Sequence, residues 1–375
     1  MEIPFCYGKI VKDDDFTDRK ESTIRLYNNF KALTNTTIIS PRRWGKSSLV
    51  NKAAEELVAK DKDFIAIRLD AFNVKSQEDF LRKYAEAVSN AFTTQREILK
   101  FIERYMPKFG AEIVFGHGPV KVLLKIEPRQ LKENVDEIID LPQRLAEKTK
   151  KKVVICIDEF QIVADFKDTL SFQRLLRSHW QTHDSVAYCL YGSKYNLMTK
   201  LIGEPNMPLY KFGDIIYLDR ISTEDWISYI VQRFSETGKR ISEETAGRVV
   251  ELTENHSYYV QQLSQLSWIS TKDKCNDAIV DEAFGKLLEQ LEILFMPTMD
   301  GLTATQVEYL RAVLDGVKNW ASTETYDKYR MGTAPNVKNI QRALEKKEIT
   351  TRTLNGVEIQ DPVFKYWLKN IYFKD

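Results

Sequence analysis

Nine consecutive residues, Ser40-Pro41-Arg42-Arg43-Trp44-Gly45-Lys46-Ser47-Ser48, have the order of a loop that holds phosphate. Such a loop works when it follows a strand and opens a helix, because successive backbone N–H groups then surround an anion and the helix dipole adds to the attraction. In this chemistry Gly45 lets the backbone approach the phosphates, Lys46 reaches the β- and γ-phosphates of ATP, and the Ser47 hydroxyl ligates Mg²⁺. The first glycine of the pattern is here Ser40. A serine has fewer backbone conformations open to it, so either the loop takes an ordinary conformation at this point or nucleotide binding weakens. The ordinary conformation is the expectation.

A second run, Val153-Val154-Ile155-Cys156-Ile157-Asp158-Glu159, is an apolar strand ending in two acids. Asp158 would stand beside the Mg²⁺ shell, and Glu159 would orient and deprotonate an attacking water. Taken alone, a strand capped by solvated acids is the better explanation; paired with the loop at Ser40–Ser48, it becomes the less favoured one. A third strand ends in Tyr191-Gly192-Ser193. There Ser193 would contact the γ-phosphate or the water, with a plain turn serine as an equal alternative. The candidate catalytic residues are therefore Glu159, Lys46 and Ser193, the candidate metal ligands Ser47 and Asp158, and the cofactors ATP and Mg²⁺.

These motifs need a frame that brings strand ends together. Strand-like runs occur at Thr36–Ser40, Phe64–Leu69, Val153–Ile157, Ala187–Tyr191 and Ile215–Leu218, most of them nearly continuously apolar, with helical patterns between them. That alternation predicts an α/β fold with a parallel sheet covered on both faces and its chemistry at the carboxyl ends of the strands. After a helical stretch over Gln77–Tyr105, Ala111–Glu127 carries Gly116, Gly118 and Pro119 between two β-rich runs, which predicts an inserted hairpin before a helix at Asp140–Lys150. From Thr223 to about Met296 the pattern is purely helical, as in Asp225–Glu236, Glu243–Thr253 and Tyr258–Ile269, and predicts a helical lid. Helical runs at Thr305–Leu314 and Asn336–Lys347 precede Arg352–Ile359, where Asn355-Gly356 suits a hairpin turn; helices followed by a hairpin suggest a winged helix. The expected domains are a core at 1–220, a lid at 221–296 and a winged helix at 297–375. The last helix, Asp361–Phe373, repeats Phe364, Trp367, Leu368, Ile371 and Tyr372 at helical spacing and is expected to close the winged helix onto the lid.

Composition narrows the classes of function. The 375 residues carry 55 basic and 54 acidic side chains, so no global field draws the molecule to nucleic acid or an acidic membrane. The four cysteines, Cys6, Cys156, Cys189 and Cys275, lack the close pairing of metal sites or disulfide frameworks. No run approaches the ~18–20 apolar residues of a membrane span, and the N-terminus lacks a secretory hydrophobic region. A soluble, cytoplasmic protein with reduced thiols and no membrane partner is expected.

The sequence resembles the archaeal-type ATPase family, a branch of the STAND class of P-loop ATPases related to AAA+ proteins. The resemblance runs through Pro4-Phe5, Tyr7-Gly8, Phe16-Thr17-Asp18-Arg19, the loop from Pro41 to Leu49, Ile157-Asp158-Glu159-Phe160-Gln161, Gly192-Ser193, Asn255 to Gln261, and Asp361-Pro362-Val363-Phe364. It implies an ATP-binding core, a helical lid and a winged helix, and it adds Arg19 and His256 to the nucleotide-binding residues Ser40 to Ser48. Besides Ser40, the family's Gly-His-Pro-Tyr-like stretch reads Asn255-His256-Ser257-Tyr258 here. Some relatives add a nuclease-like domain after the winged helix, for which no room is expected before Asp375.

His256 would report the γ-phosphate, with a helix-capping or partly buried role as an equal alternative. Arg174 and Arg177 lie where related ring-forming ATPases place an arginine finger, although a solvated helix face is the better expectation. Arg42 and Arg43 are expected to touch phosphate or a partner. From Thr303 onward there are 12 basic and 9 acidic residues, a weak surplus for DNA. Lys338, Arg342, Lys346 and Lys347 cluster on the recognition-helix candidate, but Glu345 and Glu348 sit among them. The expectation is an ATP-hydrolysing switch whose nucleotide state places the lid and winged helix, with a protein partner or self-association. An origin-recognition-like DNA-binding ATPase and a nucleotide-binding scaffold with negligible turnover are the alternatives.

Overall fold

The structure, a computed structural model, describes residues 3–9, 19–92, 110–114, 121–125, 133–320, 322–353 and 356–374, with strand pairing alone at 110–114 and 121–125. The chain forms two compact units, Arg19–Asp219 and Arg220–Asp375, the second joined by the N-terminal residues.

The first unit is built on a five-stranded sheet. Its strands are β1 (Thr36–Ile39), β2 (Phe64–Asp70), β5 (Lys152–Asp158), β6 (Val186–Gly192) and β7 (Asp214–Tyr217), all parallel and in the order β2-β5-β6-β1-β7. Val153 to Ile157 are fully buried and every residue of β6 is buried, the pattern of strands covered on both faces. Register aligns the carboxyl ends: Ile39 lies opposite both Gly192 and Tyr217, and Asp70 opposite Asp158. Chain that leaves β1, β5 and β6 therefore emerges along one edge, where Ser40, Glu159 and Ser193 begin their loops.

Helices α1 (Lys20–Lys31), α2 (Lys46–Lys60) and α3 (Gln77–Ala91) belong to this unit. The α2 helix buries Leu49, Val50, Ala53, Ala54 and Leu57. The Ser76 hydroxyl caps α3 by accepting from the Asp79 amide. At the opposite end of β6, the Trp180 ring stacks 4.2 Å from that of Tyr188, whose hydroxyl lies 3.0 Å from the Tyr84 hydroxyl. The inserted pair β3 (Gly110–Val114) and β4 (Lys121–Lys125) is antiparallel, as the hairpin pattern predicts. Its turn residues Gly116, Gly118 and Pro119 lie outside the described residues, as does the expected continuation of α3 from 93 to 105.

The second unit begins with helices Thr223–Glu236, Glu243–Leu252, Ser257–Ser270 and Asp277–Asp300. Ser222, Ser242 and Asn276 cap three of them through side-chain oxygens. Helices Ala304–Leu314, Thr323–Lys328 and Ala334–Lys346 follow, then the antiparallel pair β8 (Thr350–Thr353) and β9 (Gly356–Ile359). That order makes the winged helix. Asn355, at its expected turn, is outside the described residues.

Two boundaries differ in detail from those the sequence pattern suggests. Asp277–Asp300 runs unbroken through the step at 296–297, because Pro297 stands within a helix whose apolar face continues through Phe295 and Met299. The N-terminal residues pack on the helical unit: Phe5 is buried with its ring 5.7 Å from that of Phe234, the Arg233 guanidinium donates to the Pro4 carbonyl at 2.7 Å, and the Gln265 amide donates to the Phe5 carbonyl at 2.9 Å.

The terminal helix Pro362–Trp367 continues as a wider π-type turn over Leu368–Tyr372. It joins the winged helix to the preceding helices: the Tyr259 hydroxyl donates to Asp361 at 2.5 Å, Lys365 pairs with Glu254 at 2.8 Å, and Phe364 and Trp367 lie within 5.1 and 5.6 Å of the Phe295 ring. Phe364, Trp367 and Leu368 are buried, but Ile371 and Tyr372 are 46% and 39% exposed, so the apolar stripe is shorter than its spacing suggests. Tyr372 keeps one contact with that face, its ring 5.2 Å from that of Trp367. Among the described residues no helix is long and apolar enough to cross a membrane.

Candidate functional site

The loop between β1 and α2 has the conformation its sequence requires. Gly45 has φ 88°, a left-handed value that glycine takes without strain, and the α2 helix starts directly after it with the Leu49 amide donating to the Gly45 carbonyl at 2.9 Å. Arg43 is also left-handed, at φ 63°. Ser40 is not, so the departure from glycine is accommodated by an ordinary backbone; the residue is fully buried and its hydroxyl donates to the Pro41 carbonyl at 3.1 Å. Lys46 and Ser48 are buried in the first turn of α2, Pro41 and Trp44 are half-buried, and Arg42 and Arg43 are exposed. Arg19 reaches the same loop: it is buried, and its guanidinium donates to the Trp44 carbonyl at 3.2 Å.

Sheet order brings the acids to this loop across 111 residues of sequence. The Ser47 hydroxyl donates to Asp158 Oδ2 at 2.8 Å, while Asp158 Oδ1 accepts from the Glu159 amide at 2.8 Å. Burial pushes the Asp158 carboxyl up, against the Ser47 hydrogen bond and the Lys46 charge, which favour the carboxylate. A hydroxyl and a carboxylate in hydrogen-bond contact beside a lysine at a helix N-terminus form an oxygen donor set of the kind that hard divalent cations take, so these residues fit Mg²⁺.

Glu159 is held differently. Its backbone is left-handed at φ 53°, and its Oε2 accepts from the Ser193 hydroxyl at 2.9 Å, the Ser193 amide at 3.3 Å and the Gln161 side-chain amide. Burial raises its proton affinity, but the bonds from Gln161 and Ser193 and the Lys46 charge outweigh it and hold the carboxyl below the usual glutamate range. The Arg42 guanidinium in turn donates to the Ser193 hydroxyl at 3.2 Å. Lys46, Ser47, Asp158, Glu159, Ser193 and Arg42 thus form one connected group.

The remaining candidates belong to other elements. His256 belongs to the helical unit, where it is buried before helix Ser257–Ser270 with its ring 4.9 Å from that of Tyr259. Arg177, on helix Thr169–Trp180, donates to the carbonyls of Pro208 and Tyr210 at 2.8 and 2.7 Å, so it fastens its own unit, whereas Arg174 is exposed on that helix. Gln161 and Gly192 flank the motifs in the sequence, where local pattern assigns them no role, yet Gln161 bonds Glu159 and lies against Gly192. The available signal was an amide-bearing residue two places after Glu159 in an otherwise apolar turn.

Residues 44–163 match the KAP family P-loop domain, and residues 293–370 match a probable winged helix domain. No curated protein matches the chain significantly. Among solved structures, a Walker-type ATPase of Pyrococcus abyssi superposes with a TM-score of 0.66 at 16% identity, covering 98% of this chain and 99% of that one. The ORC2 protein of Aeropyrum pernix, in its ADPNP–ADP complexes, gives 0.59 at 11% identity over 98% and 96% of the two chains. The ORC1 protein of Aeropyrum pernix in complex with DNA gives 0.50 at 11% identity over 96% and 94%. The fold is that of a P-loop NTPase, with a winged helix in the C-terminal region.

Proposed function

We propose that the protein binds ATP with Mg²⁺ at Ser40–Ser48 and hydrolyses it slowly, as a switch. The observation that carries this reading is the Ser47–Asp158 hydrogen bond, which puts a loop hydroxyl and a strand-end carboxylate side by side at the N-terminus of α2. Ser47 and Asp158 would hold Mg²⁺, whose charge would offset the negative charge that develops on the phosphates during hydrolysis. The N–H groups from Gly45 onward and the Lys46 ammonium would hold the phosphates. Glu159, ionised and anchored by Ser193, would accept the proton of the attacking water. Arg42, through Ser193, would make that residue responsive to charge at the end of the phosphate chain.

The switch part of the reading rests on Arg19. It is the first residue of the core unit and its guanidinium ends on the Trp44 carbonyl, so a change in the loop is felt where the two units join in sequence. Calorimetric titration with ATP, with and without Mg²⁺, tests the binding reading. Saturable binding strengthened by Mg²⁺ supports it, and no binding of either form refutes it.

A second reading, duplex-DNA binding by the winged helix, is favoured by one contact. Arg352 pairs with Glu345 at 2.6 Å, which neutralises an acid on helix Ala334–Lys346 and leaves exposed Lys338, Arg342 and Lys346 as its outer charges. Duplex affinity that falls steeply with salt and is lost on neutralising those three residues would establish it.

A further inference from the structure

Four observations converge on Gln161. It is 4% exposed in the apolar 3₁₀ turn Phe160–Asp165, where Phe160 and Val163 are also buried and an amide is costly unless it is used. Its Nε2 donates to Glu159 Oε2, the same oxygen that Ser193 binds through both its amide and its hydroxyl. Its Oε1 has no hydrogen-bond partner among the described residues, so the donor end is the part of the amide with a task. Finally, Oε1 rests on Gly192: a Cβ there would lie 1.7 Å from it and 2.9 Å from Cδ. Gly192 has no left-handed φ, so what the glycine supplies at this position is space for the Gln161 amide.

On the reading of Glu159 as the base, we propose that Gln161 is a positioning residue which, seated on Gly192, fixes one carboxylate oxygen of Glu159 and leaves the other for the attacking water. Glu159 needs such an anchor. Its left-handed backbone is uncommon for a residue with a side chain and persists only where neighbours determine it. Three donors on Oε2 restrain its rotation, and the hydrogen bonds seen among the described residues all fall on that oxygen. A base that turned freely would spend most of its time pointing away from the water, and that loss falls on the chemical step rather than on nucleotide binding.

The fastening can be loosened from two independent sides. Gln161→Leu keeps the volume and removes the donor; Gly192→Ala keeps the donor and drives the amide off its seat. Each is expected to lower kcat by about tenfold with KM within about twofold, and the double variant to be little worse than either single one, because both act through one contact. A role in packing alone would move KM and stability together and give additive effects. An unchanged or increased kcat in Gln161→Leu, or additive losses in the double variant, overturns the proposal. Crystal structures of the two variants decide the matter independently of turnover: the Glu159 carboxylate should leave Ser193 in both, and a carboxylate unmoved in both overturns the proposal. A parent protein that releases no phosphate would instead sink the assignment of Glu159 as base.

Discussion

The Ser47 hydroxyl and the Asp158 carboxylate meet at 2.8 Å, which ties the start of α2 to the end of β5. If this pair is the cation site, Ser47→Ala and Asp158→Asn should each remove most of the Mg²⁺ enhancement of ATP affinity, about tenfold or 1.4 kcal/mol, and change affinity in chelator little. Titrations in Mg²⁺ and in chelator measure this. Equal enhancement in parent and variants would show that the cation sits elsewhere.

Lys46 is buried beside both acids. Lys46→Ala should weaken ATP by at least about tenfold, because a charge-assisted contact to phosphate is lost. The circular dichroism spectrum should stay that of the folded parent. Unchanged affinity would contradict the site.

The terminal helix carries the packing of the helical unit. Trp367 is 1% exposed, and Trp367→Ala should cost about 3–5 kcal/mol, with removal of the residues after Asp361 costing more. Neutralising Lys338, Arg342 and Lys346 should leave the fold and turnover intact. Lys347 is better left in place, since it donates to the Gly301 carbonyl at 2.7 Å. Denaturant unfolding measures both, and a Trp367→Ala protein as stable as the parent contradicts the packing account.

Acid should weaken the core through His183, whose ring lies 3.1 Å from Asp140 and 2.8 Å from the Tyr188 hydroxyl. Burial pushes its imidazolium down below the usual 6.5, only partly opposed by Asp140. Burial alone would raise the Asp140 carboxyl, but the bonds to His183 and His179 hold it below its ordinary range. Both groups bind fewer protons folded than unfolded, so their contribution is complete above about pH 6.5 for the histidine and is lost as pH falls through the folded values. Thermal midpoints should drop between pH 7 and pH 5, and His183→Gln should flatten that slope. An identical slope in the variant would contradict this.

Continuous apolar runs made the sheet legible: Val153–Ile157 and Ala187–Tyr191 have strand length and are apolar throughout, as strands covered on both faces are, and the strands extend them by a residue at either end. The loop was legible because phosphate geometry demands Gly45, Lys46 and Ser47 in that order. Gln161 was not, since its task depends on Gly192, which lies 31 positions later and meets it only through sheet order. The packing of Phe5 against Phe234 was hidden for the same reason, as no local pattern shows which unit a short terminal segment will join.

Hydrolysis is the central claim, and phosphate release from ATP by the purified protein and its Glu159→Gln variant tests it most directly. The variant keeps the shape of the side chain and removes the base, so ATP should bind with unchanged affinity while release falls by about 10²-fold. Equal release from parent and variant, or none from the parent, would contradict the account.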